Sequence, residues 1–192
     1  MGSGTEWDGS GVFEDGETED YLLQVCAEPQ ILTAVSRKTH GTVGTYDIDV
    51  LAGVRECRSN SVTKLVVTFD RNVQQVSSHA VTLSSGTVST VTIAGNIVTI
   101  DLTGGVLHGT LTVSFPGLAD AATGNCPVTG IINALVKLGD VNSSGATDFT
   151  DLVQVRDNLF VGVSGSNFTK DVNASGAIDF TDLVIVRDNL FQ

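Results

Sequence analysis

Through most of the chain's middle, apolar residues alternate with Thr, Ser and charged residues. Period-two stretches run at residues 31–36, 46–51, 62–70, 80–83, 88–93, 97–102, 110–115 and 130–136. Gly-bearing breaks at 84–86, 94–96 and 103–105 punctuate them. β-Branched side chains fit a pleated, half-buried surface, and Gly and Ser supply the turns between strands. Roughly seven to nine short strands in about 105 residues predict a mainly β fold, an antiparallel β-sandwich. A further apolar stretch at residues 21–25 predicts an orphan strand, which must join a sheet edge of the middle domain or of a neighbouring molecule.

Beyond residue 136 the period changes. Leu152, Val155 and Leu159 recur at helical spacing, and the pattern then repeats. The chain thus divides into an acidic N-terminal segment (1–30), a β domain (31–136) and a small α module (137–192). Within that module residues 140–160 and 171–191 are two copies of one sequence, differing at three of 21 positions: 143/174, 147/178 and 154/185. An internal repeat this close marks a duplicated structural unit.

Each copy opens with a twelve-residue pattern of oxygen-bearing side chains. Calcium, a hard cation, takes six to eight oxygens, which such a loop supplies from positions 1, 3, 5, 7, 9 and 12. Those positions hold Asp140, Asn142, Ser144, the Ala146 carbonyl, Asp148 and Asp151 in the first copy. The second copy supplies Asp171, Asn173, Ser175, the Ala177 carbonyl, Asp179 and Asp182. Gly145 and Gly176 stand at position 6, where the loop turns sharply. Three carboxylates per loop repel one another without a cation, so two calcium ions are expected, with binding and local folding coupled. The competing reading is a pair of Asx-turns that cap helices without metal.

Loop, helix, linker, and the same again, with Asp at position 12 and no amphipathic helix ahead of either loop, resembles a type I dockerin over residues 138–192. The sequence departs from that family's pattern by placing Ser144 and Ser175 where Asp is usual. What the resemblance implies is a protein partner, cohesin-like or a second copy of the chain. The partner-facing residues it implies are Phe149, Thr150, Arg156 and Asp157 in one copy and Phe180, Thr181, Arg187 and Asp188 in the other. Phe149 and Phe180 stand where a small polar residue is usual, and packing along the apolar face of the helix is an equal reading of Phe149. The run from Leu65-Val-Val-Thr-Phe-Asp70 to Leu118-Ala-Asp-Ala-Ala-Thr-Gly-Asn125 resembles a bacterial Ig-like domain of surface proteins. Gly16-Glu-Thr-Glu-Asp20, with the residues around it, resembles the end of a GEVED domain of large secreted bacterial proteins.

Charge sharpens the picture. The net of -12 is concentrated at the ends: residues 1–30 carry eight acids and no Lys or Arg, the middle is near neutral, and residues 140–192 carry eight acids against three bases. Such a surface repels phosphate backbones and argues against nucleic-acid binding. No apolar run approaches the roughly 20 residues of a membrane span. Polar sequence from Met1 onward, without a signal peptide, fits a secreted segment whose export signal is gone, and fits a cytosolic chain as well. The three cysteines form no CxxC or Cys/His cluster, which argues against zinc. Cys57 and Cys126 are read either as a disulfide, in an oxidising compartment, or as two buried thiols, with Cys26 left over. His40, His79 and His108 are isolated, have no nucleophile motif beside them, and are read as solvated surface residues, so catalysis is not expected.

Three functions compete on this reading. The first is a non-enzymatic extracellular calcium-binding protein that associates through its dockerin-like module. The second is a self-assembling homopolymer subunit of a filament or sheath, joined by strand addition. The third is a non-catalytic fragment of a secreted carbohydrate-active enzyme.

Overall fold

The computed structural model describes residues 26–192. The expected strand at 21–25 and the motif at 16–20 lie outside the described residues. The fold is mainly β with antiparallel sheets. Its strands are β1 (Ile31–His40), β2 (Gly44–Asp49), β3 (Lys64–Phe69), β4 (Val73–Gln75), β5 (Thr82–Leu83), β6 (Thr87–Ala94), β7 (Ile97–Thr103), β8 (His108–Ser114), β9 (Leu118–Asp120) and β10 (Ile131–Lys137). They form a five-stranded sheet in the order β2-β1-β3-β7-β6, a three-stranded sheet β10-β8-β5 and a small β4-β9 pair.

Alternation sets which face each strand buries. β3 turns Leu65, Val67 and Phe69 inward, β7 Val98, Ile100 and Leu102, and β10 Ile132, Ala134 and Val136. Phe69 meets Phe115, just past β8, edge-on at 5.6 Å, so the two larger sheets close on one core. β4 and β9 were not legible as strands because three residues carry no period. β1 runs past residue 36 to His40, with Ser36, Lys38 and His40 on the same buried face as Ala34. The polar residues on that inward face explain why the alternation stops early in the sequence.

Helices α1 (Phe149–Asp157) and α2 (Phe180–Asp188) follow the two repeat loops. Each begins with a capping box, Asp148 with Asp151 and Asp179 with Asp182, which satisfies amide donors that a helix start leaves free. The core does not stop at residue 136. Leu138, Val141, Val155, Val163, Val172, Ile178 and Val186 belong to the same buried cluster as the sheets. Backbone bonds stitch the two parts: Gly139 N donates to Cys57 O at 2.9 Å, Ser59 N to Val172 O at 2.7 Å, and Gly41 N to Ala174 O at 3.1 Å. A Cβ on Gly41 would stand 2.1 Å from the Ser175 carbonyl, so only glycine lets the β1–β2 turn approach the second loop.

Of the two readings of Cys57 and Cys126, a disulfide between them or two buried thiols, neither holds for both: Cys57 is a buried thiol, and Cys26 is not left over. Cys126 forms its disulfide with Cys26, with Cα atoms 5.6 Å apart. The segment after Cys26 lies against the loop that carries Cys126, where Thr129 N donates to Glu28 Oε1 at 2.8 Å. Cys57 instead faces the linker between the repeats, its thiol 3.7 Å from the Thr169 carbonyl. Burial, with the Glu56 charge beside it, pushes that thiol up to about 12. A thiolate is the reactive form, so Cys57 is expected to be inert in the folded protein. Ellman's reagent at pH 8 should find no thiol in the native chain and one after denaturation; rapid native labelling would contradict this burial.

Candidate functional site: two oxygen-lined loops

Both loops fold alike. Ser143 and Ala174 at position 4 take left-handed φ values of 60° and 56°, and Gly145 and Gly176 at position 6 take 105° and 93°. This coil folds the chain around the first aspartate. Asp140 Oδ1 accepts from Ser144 N at 2.8 Å and its Oδ2 from Gly145 N at 2.8 Å. Asp171 does the same with Ser175 N at 3.0 Å and Gly176 N at 2.8 Å. The amides of Ser144 and Ser175 are shared with Asn142 Oδ1 and Asn173 Oδ1, each at 2.8 Å. Ser144 Oγ stands 3.2 Å from the Ala146 carbonyl, as Ser175 Oγ does from Ala177.

The last aspartate closes each loop from the helix. Asp151 Oδ1 accepts from Asn142 N at 3.2 Å and Oδ2 from Asp148 N at 3.0 Å; Asp182 repeats this with Asn173 and Asp179 at 3.0 and 2.9 Å. Burial raises the pKa of Asp151 above the ordinary carboxylate value, and the Asp140 and Asp148 charges add to it against those hydrogen bonds. Asp182 is raised in the same way, by burial first and then by Asp171 and Asp179. Asp148 and Asp179 at position 9 spend one oxygen on the helix, accepting from Thr150 N and Thr181 N at 2.7 Å. Position 9 commonly reaches a calcium ion through water, which suits that arrangement.

Among the described residues, no three His, Cys, Asp or Glu side chains meet at metal-holding distance. A cation would therefore draw on the amide, hydroxyl and carbonyl oxygens of each loop as well as its carboxylates. An all-oxygen donor set, closed by the buried Asp151 and Asp182 carboxylates, suits a hard cation such as calcium, which would supply positive charge beside them. Asp140, Asn142, Ser144, Ala146 and Asp151, and their counterparts in the second loop, are the residues that would hold it.

The expected partner-facing residues all reach solvent. Phe149 and Phe180 are each 61% exposed, and Thr150, Arg156, Asp157, Thr181, Arg187 and Asp188 are exposed too. Each of those phenylalanines packs edge-on against a phenylalanine of the other repeat, Phe149 on Phe191 and Phe180 on Phe160, at 5.4 Å. Phe160 and Phe191, 72% and 71% exposed, went unnoticed in the sequence although both copies end on them. Reciprocal backbone bonds hold these clasps shut: Phe160 N donates to Ile178 O at 2.8 Å and Phe191 N to Thr147 O at 2.9 Å. The outcome is two matched aromatic pairs on one small body.

Of the three histidines expected at the solvated surface only His79 is exposed; His108 is half-buried, its Nε2 3.2 Å from Asn189 Oδ1 and its Nδ1 buried without a partner among the described residues. His40 is fully buried, because β1 turns it inward beneath the second loop. Its Nδ1 lies 2.8 Å from Asp171 Oδ2 and its Nε2 3.2 Å from Arg58 Nη1. Arg58 and Glu56, also fully buried, form a fork at 2.8 Å. Burial works against ionising Glu56, but Arg58, Lys38 and Ser36 outweigh it and hold its carboxyl below the ordinary value. Lys38, between the Ser59 carbonyl and Glu56, is pushed down to about 8 by burial. This polar seam runs from the β1 strand to the second loop.

Comparison with protein-family models, curated proteins and solved structures finds no match for the chain.

Proposed function

We propose that this chain is a non-enzymatic extracellular protein that binds two calcium ions and uses its C-terminal repeat pair for calcium-dependent association with another protein. The observation that carries the reading is the duplicated loop, in which the same backbone amides fold around Asp140 and Asp171 and the same buried carboxylates close from Asp151 and Asp182. The likeness of residues 138–192 to a type I dockerin, and of the β domain to a bacterial Ig-like sandwich, supports it. So does the Cys26–Cys126 disulfide, which persists in oxidising compartments.

The association surface is the pair of aromatic clasps. Four exposed phenylalanine rings at the ends of two short helices resist the usual rule that large apolar groups leave water. Arg156–Asp157 and Arg187–Asp188 pair at 2.7 Å beside them on the exposed face of each helix, a rim that steers more than it binds. The partner is a cohesin-like protein or a second copy of the chain.

Calorimetric titration with calcium should give two sites below the millimolar range; heats no larger than dilution would remove the reading. Sedimentation velocity with calcium and with chelator then separates self-association from a foreign partner. Phe149→Ala together with Phe180→Ala should leave calcium binding intact and weaken association at least about tenfold, the loss expected for aromatic anchors worth more than 1.4 kcal/mol.

A further inference from the structure

Two loops with nearly the same sequence do not sit in the same surroundings. Above Asp140 lies Arg55, half-exposed, its Nε 3.8 Å from Asp140 Oδ2, while its other groups bind Ser143: N to Oγ at 2.8 Å and Nη1 to the carbonyl at 3.0 Å. Above Asp171 lies His40, fully buried at hydrogen-bond distance. The first loop thus faces a cation, the second an imidazole.

The hydrogen-bond network fixes how that imidazole is used. Arg58 has only donors, so His40 Nε2, facing its Nη1, must accept. The ring's proton then sits on Nδ1, which donates to Asp171 Oδ2. Gly176 N donates to the same oxygen, leaving Oδ1 as the face of Asp171 turned into the loop beside Asn173 and Ser175. A carboxylate held on its outer oxygen by a buried N–H keeps its inner oxygen aimed without the entropy cost of aiming it. Outer groups of this kind typically set metal affinity by a factor of about 10–100. At the first loop the corresponding group is a guanidinium without a hydrogen bond to Asp140, and its charge opposes a second cation nearby.

We infer that His40 is a positioning residue for the cation of the second loop, so that two loops of matched ligands form unequal sites, the one at Asp171 being the tighter. The inference rests on the calcium reading above and extends it: His40 of the β domain, 131 residues from Asp171 in sequence, hydrogen-bonds the first carboxylate of one loop, and Arg55 makes no such bond at the other. Filling of the second site is then tied to the docking of the repeats on the sheet, and the first is the site that responds at higher calcium.

Two variants isolate the donor. His40→Asn keeps an N–H at the δ position; His40→Gln moves it one bond further out, away from Asp171, and both remain polar beside Arg58. Calcium chloride is titrated into the 192-residue chain while the backbone amides of Gly145 and Gly176 are followed by NMR, one reporter for each loop. In the wild type Gly176 should respond first. His40→Gln should weaken the Gly176 transition about 10–100-fold and move the Gly145 transition less than about threefold, with His40→Asn close to wild type at both. Silence at both glycines in the wild type would remove calcium binding and this inference with it. Two transitions in the wild type that coincide, or that His40→Gln shifts equally or not at all, would overturn the role of His40 alone.

Discussion

Replacing Arg58 with Met is expected to destabilise the protein by about 3–5 kcal/mol, the range for leaving one member of a buried ion pair without its partner. Glu56 would lose both bonds of the fork and keep only Ser36, the Arg58 amide and a Lys38 ammonium 3.9 Å away. The Ser36 and Tyr46 carbonyls would each lose a guanidinium donor, and His40 its partner at Nε2. Phe168 would lose the guanidinium that lies 5.6 Å from its ring centre. Urea unfolding measures the loss. The companion double variant, Arg58→Met with Glu56→Met, removes both charges and should recover much of it, since an apolar pair of similar volume often replaces a buried ion pair at little cost. A single-variant loss below about 1 kcal/mol, the level of an exposed pair, would mean that water reaches this seam.

The seam also shows where a sequence stops being readable. The loop oxygens were legible because every donor lies within twelve consecutive residues whose spacing carries the chemistry. The strands β3, β7, β8 and β10 were legible because Val, Ile, Leu and Phe fill their inward positions. Ser36, Lys38 and His40 occupy inward positions too, but hydropathy reports what a side chain is and not which partner waits for it. Their partners, Glu56 and Arg58, come from an irregular stretch about twenty residues on. The same distance effect hid the Cys26–Cys126 bond, closed over 100 residues by the approach of two loops. The reach of the module onto the sheets was hidden as well: Val155 and Val186 read as a helix face, with nothing to say that it packs on a β domain.

Calcium is expected to raise the unfolding temperature by about 10–20 °C, and to do so in one transition. At a free concentration of 100 times Kd each site adds about 2.7 kcal/mol, so two sites add roughly 5 kcal/mol. In a chain of this size each kcal/mol moves the midpoint by about 2–4 °C. The single transition follows from packing. Val172 and Ile178 of the second repeat lie in the same buried cluster as Leu65 and Ile100 of the sheets, and Tyr46 of β2 stacks on Phe168 at 5.0 Å. A module that melted alone would expose the fully buried His40, Glu56 and Arg58 with it, which removes the reason for the sheets to persist. Scanning calorimetry in calcium and in chelator distinguishes the cases: two peaks of which only one moves would make the repeats an independent tail, and a single unmoved peak would empty the loops of metal. One peak that moves is the behaviour of a sheet and two ion sites folding as a unit, with the disulfide left intact throughout so that the Cys26–Cys126 link contributes equally to both scans.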